Sequence, residues 1–399
     1  MTLDYRWLRS PGNFHGLEAT WRRLFDQNPG HSVFLSWEWM SNWWEHFGSS
    51  REFRVVCAFS REGAPRLIAP FQVETETIFG RPCLSIWSCL GANSMAYSDH
   101  LGFLRDPSVD EVDCARLMDE IWKCGGDQAV FRLSDLRADD GAIAGIRAWA
   151  QGKGLHVRTK PDALCPLLEL PSSWDELMAR LSGNFRGQIR KSWRQVEASF
   201  QVEQIRDPEP LRCAVRELVR LNAQRMDETG RHSSLTTPQM VSFLESVAVA
   251  MIAAGKAWFD VIRCKNRVVG AAFHLVEGGT VYYYQGGFDP AYSSYRPSTV
   301  LFAHVMKRAI ENGFRYFDFL RGNEQYKYRW GAKPVRNVVL MIEPRGPTPR
   351  VLYHLSRGQA RLRSGLQAKM SAFIARRAKL RRRSSIPIAE EGGGRWRNR

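Results

Sequence analysis

Between residues 257 and 288 the chain runs three apolar segments, 257–264, 267–277 and 280–288, joined only by the two-residue turns Lys265-Asn266 and Gly278-Gly279. Turns this short return the chain antiparallel to itself, because a parallel connection needs a crossover of a dozen residues or more. A meander of this kind argues against a doubly wound parallel sheet and for an α+β (mixed α/β) arrangement, with helices flanking a mixed, largely antiparallel sheet. Helical spacing brackets it. Segments 209–225 and one opening at Thr237-Pro238, with proline at the first helical position, come before it. A helix over 299–312, a strand over 316–320 and a last strand over 336–343 come after it.

The same order occurs earlier in the chain. Helices over 17–27 and 36–47 come first, the second with Trp37, Met40, Trp44 and Phe47 on one face behind Ser36 as N-cap. Strands follow at 53–60, 66–74 and 83–104 (with a break), then a helix over 109–123, a strand over 129–133, a helix over 142–151 and strands over 155–170. Ser173-Trp174-Asp175-Glu176 is a capping box that opens the second pass, ahead of a helix over 185–200 striped by Phe185, Ile189, Trp193 and Val196 and a strand over 201–205. A chain of 399 residues exceeds what one core usually supports, so two units are expected, 1–170 and 171–345. The halves share no obvious residue identity, and the duplication rests on pattern.

The net charge of +16 is unevenly placed. From Arg350 onward fourteen bases face only Glu390 and Glu391, so +12 lies in that tail and +4 in residues 1–349. Residues 346–399 therefore form an appendage: an amphipathic basic helix, with Leu352, Leu355, Leu362, Leu366, Met370, Phe373 and Ile374 near helical spacing, and then a disordered end. Both cores close before Arg350, so residues 1–349 are expected to fold without it. The tail's expected partner is an anionic membrane surface or RNA, and its apolar stripe favours membrane or partner contact over plain phosphate binding. The eight cysteines make no CxxC pair and no His stands at zinc-finger spacing, which implies buried free thiols in a reducing compartment and no metal. The first 16 residues have no apolar signal region, and the longest apolar run, 247–254, is far too short to cross a bilayer. The expected location is cytoplasmic, peripheral to the inner membrane at most.

Chemistry concentrates between residues 281 and 331. A strand ending in Gln285-Gly286-Gly287 leads through a loop with Tyr295 and Arg296 to a helix beginning near Ser298-Thr299, where free backbone N–H groups favour an anion such as pyrophosphate. Beyond that helix, Tyr316-Phe-Asp-Phe-Leu-Arg-Gly-Asn-Glu-Gln-Tyr-Lys-Tyr-Arg-Trp-Gly331 places Asp318, Arg321, Glu324, Tyr326 and Lys327 at the C-terminal end of a buried strand, where sheets commonly hold ligands. Asp318 reads equally well as a structural carboxylate paired with Arg321. Arg186, Arg190 and Arg194, at i, i+4 and i+8, make one helix face positive, either as a solvated face or as a contact for a phosphorylated carrier, a nucleotide sugar or tRNA.

Asp318-Phe-Leu-Arg-Gly322 with Glu324, Tyr326-Lys327 and Trp330-Gly331 resembles the signature of the CelD/BcsL-like acetyltransferases, a branch of the GCN5-related N-acetyltransferase (GNAT) superfamily. The likeness runs from about Leu177 to Trp330, through Asn184-Phe-Arg-Gly-Gln-Ile-Arg-Lys191 and the Tyr-Gln-Gly-Gly-Phe-Asp block at 284–289, and Phe34-Leu-Ser-Trp-Glu-Trp39 resembles the opening of such proteins. The resemblance implies tandem GNAT-like domains, the first degenerate and the second catalytic, and a V-shaped opening between two central strands for an acyl-CoA thioester. The superfamily's pyrophosphate loop reads Gln/Arg-x-x-Gly-x-Gly/Ala; Tyr295-Arg-Pro-Ser-Thr299 stands in its place without those glycines. Tandem units also resemble FemAB-type aminoacyl transferases, in which a Lys after an aromatic matters for transfer, and Tyr326-Lys327 matches that pair.

The expected activity is direct transfer of an acyl group from acetyl-CoA or another acyl-CoA to an amine or hydroxyl, on a small-molecule or carrier-linked sugar or amine acceptor. Family association places it in exopolysaccharide, cellulose or envelope glycoconjugate synthesis. Asp318, Glu324, Tyr326 and Lys327 are the candidate catalytic groups: a carboxylate as base, Lys327 for developing negative charge, a tyrosine for the leaving thiolate. Gln285, Gly286, Tyr295, Arg296, Ser298 and Thr299 are the candidate donor contacts, and Arg186, Arg190, Arg321 and Trp330 the candidate acceptor contacts. The alternatives are an aminoacyl-tRNA-dependent transferase and a noncatalytic protein that binds anions or membranes.

Overall fold

The computed structural model describes residues 3–358, apart from positions 29, 79, 93, 229 and 231. The first half consists of β1 (Asp4–Leu8), α1 (Glu18–Asp26), α2 (Trp37–Phe47), β2 (Glu52–Phe59), β3 (Pro65–Ile78), β4 (Arg81–Cys89), β5 (Leu104–Arg105), α3 (Glu111–Gly125), β6 (Ala129–Arg137), α4 (Gly141–Gly152) and β7 (Val157–Glu169). The second half opens with α5 (Trp174–Arg180), α6 (Gly183–Ser199) and β8 (Gln201–Ile205). It continues with α7 (Pro208–Glu228), α8 (Pro238–Ala253), β9 (Ala257–Cys264), β10 (Arg267–Glu277), β11 (Thr280–Phe288), α9 (Pro297–Glu311), β12 (Tyr316–Asp318), α10 (Gln325–Tyr328) and β13 (Lys333–Ile342). Two passes through one pattern are thus present, as the periodicity implies.

Among the described residues thirteen strands join one sheet, in the order β1-β2-β3-β4-β6-β13-β7-β12-β11-β10-β9-β8, with β5 on β3. Each half has one parallel strand pair, three residue pairs long: Ser85–Trp87 of β4 against Ala129–Phe131 of β6, and Thr280–Tyr282 of β11 against Tyr316–Asp318 of β12; the first half adds a single parallel bridge, Leu101 to Leu136. The last strand of each half is exchanged. β13 pairs with β6 of the first half, and β7 pairs with β12 of the second, while β7 and β13 pair with each other at the centre.

The halves also share a core. Trp39 of α2 packs edge-on to Phe243 of α8 at 5.4 Å and to Tyr284 of β11 at 5.0 Å. Ser36 caps α2 as the sequence predicts, accepting from the Trp39 amide. β1 and α10 were not evident from periodicity: each is too short to establish a repeat.

The tail departs from expectation where it is described. Residues 347–358 are helical and pack on the sheet, with Tyr353 and Ser356 buried, while Leu355 of the predicted stripe is 52% exposed. Tyr353 joins Leu84, Val130 and Met341, so a cut at residue 349 would uncover a small core, contrary to the expected independence of residues 1–349. The rest of the predicted stripe lies outside the described residues. All eight cysteines are free, but Cys213 is exposed and Cys83, Cys124 and Cys264 are half-buried, so burial holds for only four.

Candidate active site

β11 and β12 part after three residue pairs because each stays with its outer neighbour. β11 follows β10, with Gly286 opposite Ala272 and Phe288 opposite Gly270, and a bulge at Tyr284 turns it outward. The chain beyond β12 follows β7 instead: the Phe319 amide donates to Pro166 O at 2.9 Å and the Gly322 amide to Leu164 O at 2.9 Å. From Tyr283 onward the β12-facing edge of β11 meets no strand, and Asn222 Nδ2 of α7 donates to the Gly286 carbonyl at 3.2 Å. The glycines keep this segment close to its neighbours. A Cβ on Gly287 would lie 2.7 Å from the Asn222 amide nitrogen of α7, and one on Gly286 would strike the Tyr283 hydroxyl.

At this opening lies a cleft of about 190 Å³, lined by Tyr283 and Phe288 of β11, Ser298, Thr299 and Phe302 of α9, and Phe185, Arg225, Tyr326, Arg329 and Trp330. α9 begins without a side-chain cap: Arg296 stands in the left-handed region with φ 54° and Pro297 follows. Its first amides are thus available to an acceptor at the cleft, with Arg225 and Arg329 adding positive charge. Gln188 Oε1 fixes both rims, accepting from Arg296 Nη1 and Arg329 Nη2 at 2.8 Å each. Burial pushes the Tyr283 phenol up to about 12 and, helped by neighbouring Tyr283 and Glu324, raises Tyr326 further. Both therefore keep their protons near neutral pH.

The turn after β12 is held by buried charge. Lys327 is 2% exposed, and its Nζ donates to the carbonyls of Leu320, Arg321 and Gly322 at 3.1, 2.8 and 3.3 Å, with Glu324 Oε2 at 3.0 Å. Leu320 and Gly322 have positive φ, a backbone that three converging carbonyls around one ammonium would hold in place. Glu324 remains 55% exposed.

A second network crosses between the halves. Asp318 accepts from the Leu320 amide at 2.7 Å and meets His100 Nε2 at 2.9 Å, and His100 Nδ1 meets Asn337 Oδ1 at 2.9 Å. Burial opposes a charge on His100, but the Asp318 carboxylate outweighs it and raises the imidazole pKa. Arg321 pairs not with Asp318 but with Asp99, at 2.7 Å, and with Asp135, and it stacks on Tyr97 at 4.5 Å. Burial raises the Asp135 pKa against the pull of Arg321. Trp39 Nε1 donates to Ser98 Oγ at 2.9 Å, anchoring the loop that carries Asp99 and His100.

The sequence candidates therefore separate. Ser298, Thr299, Tyr326 and Trp330 line the cleft, Glu324 lies outside its lining but acts by charge on Tyr283 and Tyr326, and Gln285 and Gly286 lie on the stretch of β11 that has parted from β12. Tyr295 packs edge-on to Phe200 at 4.9 Å, away from the cleft lining. Arg186 donates to Met178 O and Ala179 O at the end of α5, while Arg190 borders a different cavity with Trp174 and Trp193. Asp318 borders a cavity of about 520 Å³ between the halves, with His100 and Tyr282. His100, Asp99, Asp135 and Asn337 were not singled out by sequence, since residues this far apart show no spacing signal. Among the described residues no group of His, Cys, Asp and Glu side chains is placed to hold a metal ion, and no helix is long and apolar enough to cross a membrane.

A meander followed by a helix and a short parallel strand pair, present in each half, define a tandem GNAT-like fold. Residues 183–328, from the start of α6 to the end of α10, match the family model described as an acetyltransferase (GNAT) domain. The crystal structure of FemX superposes with a TM-score of 0.62 at 12% identity, over 88% of this chain and 99% of that one. L-PGS from Bacillus licheniformis (TM-score 0.49, 11% identity, 86% and 96% covered) and a tandem GNAT protein from the clavulanic acid biosynthesis pathway (0.45, 12%, 86% and 99%) are more distant in shape. At these identities the likeness is one of fold. A search of curated protein sequences gives no significant match.

Proposed function

We propose that the chain is an acyl-CoA-dependent acyltransferase of the CelD/BcsL-like branch, acting on an amine or hydroxyl of a sugar or carrier-linked acceptor. The observation that carries this reading is the parting of β11 from β12 beside the uncapped start of α9. A bound acyl-CoA supplies an acyl group activated as a thioester. The bared edge of β11 aligns the extended arm of the donor, and the Ser298 and Thr299 amides with Arg225 and Arg329 hold its phosphates. Glu324 has Oε2 engaged by Lys327 and a 55% exposed side chain, and its Oε1 takes the acceptor's proton. Tyr326, its phenol held protonated by burial, donates to the departing sulfur, with Tyr283 beside it. Lys327 and Asp318 act by positioning the turn, through carbonyls and the Leu320 amide. Residues 1–170 are proposed as the noncatalytic unit and 171–345 as the catalytic one, in a cytoplasmic protein.

Purified protein should bind acetyl-CoA, with a rise in melting temperature that Thr299→Trp abolishes by filling the cleft. Glu324→Gln should retain binding and lose roughly 100-fold or more in transfer to an amine acceptor, read as free thiol release. Absence of CoA binding by the folded protein would sink the acyl-CoA reading. A second reading, aminoacyl-tRNA as donor, draws on the glycine-free start of α9 and the tie of Arg296 to Gln188. Deacylation of aminoacyl-tRNA by a protein that does not bind CoA would establish it instead.

A further inference from the structure

Phe131 and its face of β6 are covered by Trp122 of α3 and Trp149 of α4. Arg132 points to the other face, as strand alternation requires. There the sheet forms the floor of a groove of about 730 Å³, and the C-terminal helix, residues 347–358, forms its wall with Tyr353 and Arg357. Arg132, Lys160 and Arg357 line this groove, and among the described residues none of the three has a carboxylate partner. Of the lining acids, Glu74 is already paired with Arg51 at 2.9 Å, which leaves Glu76 against three cations. Arg132 lies opposite Met341, and Lys160 opposite Val339, on the two sides of β13. At ordinary strand spacing, with the two-residue offset along β13, the two backbone positions stand about 12 Å apart.

The groove has a direction. Arg132 and Val339 also line a smaller cavity of about 120 Å³ that reaches Tyr97, Ser98, Asp135 and Arg321, where the chain leaves β12. A ligand lying along the floor would thus have one end among the cations and the other beside the turn that carries Glu324. An arginine fork and a lysine point charge at this separation suit a ligand with more than one anionic centre, and phosphate matches both. Half-buried Lys160 and Arg357 also gain from a counter-charge that the protein does not supply.

We propose that this groove binds the phosphate-bearing part of the acyl acceptor, with Arg132, Lys160 and Arg357 as its anion contacts. The assignment of the ligand as acceptor rests on the acyltransferase reading; the anion site itself does not. The full-length protein is titrated calorimetrically with inorganic pyrophosphate, with and without saturating CoA to occupy the α9 cleft. Flotation with phosphatidylglycerol vesicles, against phosphatidylcholine vesicles, forms a second arm that separates a lipid headgroup from a free phosphate. Saturable pyrophosphate binding that survives CoA, weakens tenfold or more in Arg132→Ala/Lys160→Ala and is unchanged in Arg147→Ala on the far side of α4 supports the proposal, provided the melts coincide. Selective loss of phosphatidylglycerol binding in the double variant supports it with a lipid as the phosphate source. Equal binding in wild type and double variant, or no binding of either probe, overturns it. Pyrophosphate binding in the groove by a protein that fails to bind CoA would remove the donor reading and leave the anion site standing.

Discussion

At Lys327 a charged side chain that sequence places among the catalytic candidates is 2% exposed, with its ammonium on three carbonyls and a carboxylate. An ammonium so satisfied has no donor to spare for a reacting oxygen, and removing it leaves those carbonyls facing a void. Lys327→Met should therefore cost about 3 kcal/mol in stability, read from urea unfolding. A variant with wild-type stability and lost turnover would return the side chain to the chemistry. His100 yields a pH prediction. Its folded-state pKa is raised above the unfolded value of about 6.5, so the contribution of its pair with Asp318 is complete below that value and drains away as pH rises through the folded pKa. Wild type should lose melting temperature as pH rises above about 6.5, and Asp318→Asn should lose that dependence. Parallel profiles for the two proteins would show that the pair does not set the pH response.

At the scale of elements, the β-meander, α9 and the helices of both halves were legible, because amphipathic periodicity and two-residue turns are local properties. The strand expected over 316–320 stops at Asp318, since Leu320 adopts φ 52° under the hold of Asp318 and Lys327, which no local pattern encodes. In the C-terminal helix, spacing picked out Leu352 and Leu355; Leu352 does pack against the cluster of Leu84, Val130 and Met341, but Leu355 is exposed and the buried member is Tyr353. Helical spacing defines a stripe only once the partner surface is known. β11 invites a test of its glycines. Gly287→Ala presses a methyl on the α7 backbone, which cannot yield, and should destabilise by roughly 1–3 kcal/mol. Gly286→Ala meets only the end of the Tyr283 side chain, so it should alter CoA binding more than stability. Equal melting temperatures for both variants would mean that α7 can shift.

Over the whole molecule the exchange of β7 and β13 makes the halves interdependent. A fragment of residues 1–170 would leave β7 without β12 and β13, and one of 171–358 would leave β13 without β6 and β7. Each fragment alone should lack a cooperative melt, and co-expression should restore one; a sharp transition from either alone would show that the exchanged strands can close on their own half. The buried network of Asp99, His100, Asp135, Asp318 and Arg321 spans the same junction and ties it electrostatically. The sequence by itself determined the α+β class and the duplicated order of elements. Each of these is written in periods, turns and side-chain types within a few residues of one another. Which candidates meet the cleft, which are locked away as supports, and how two half-sheets become one were decided only in three dimensions. Residues such as His100 and Asp318, 218 positions apart, acquire their roles from each other's burial and charge.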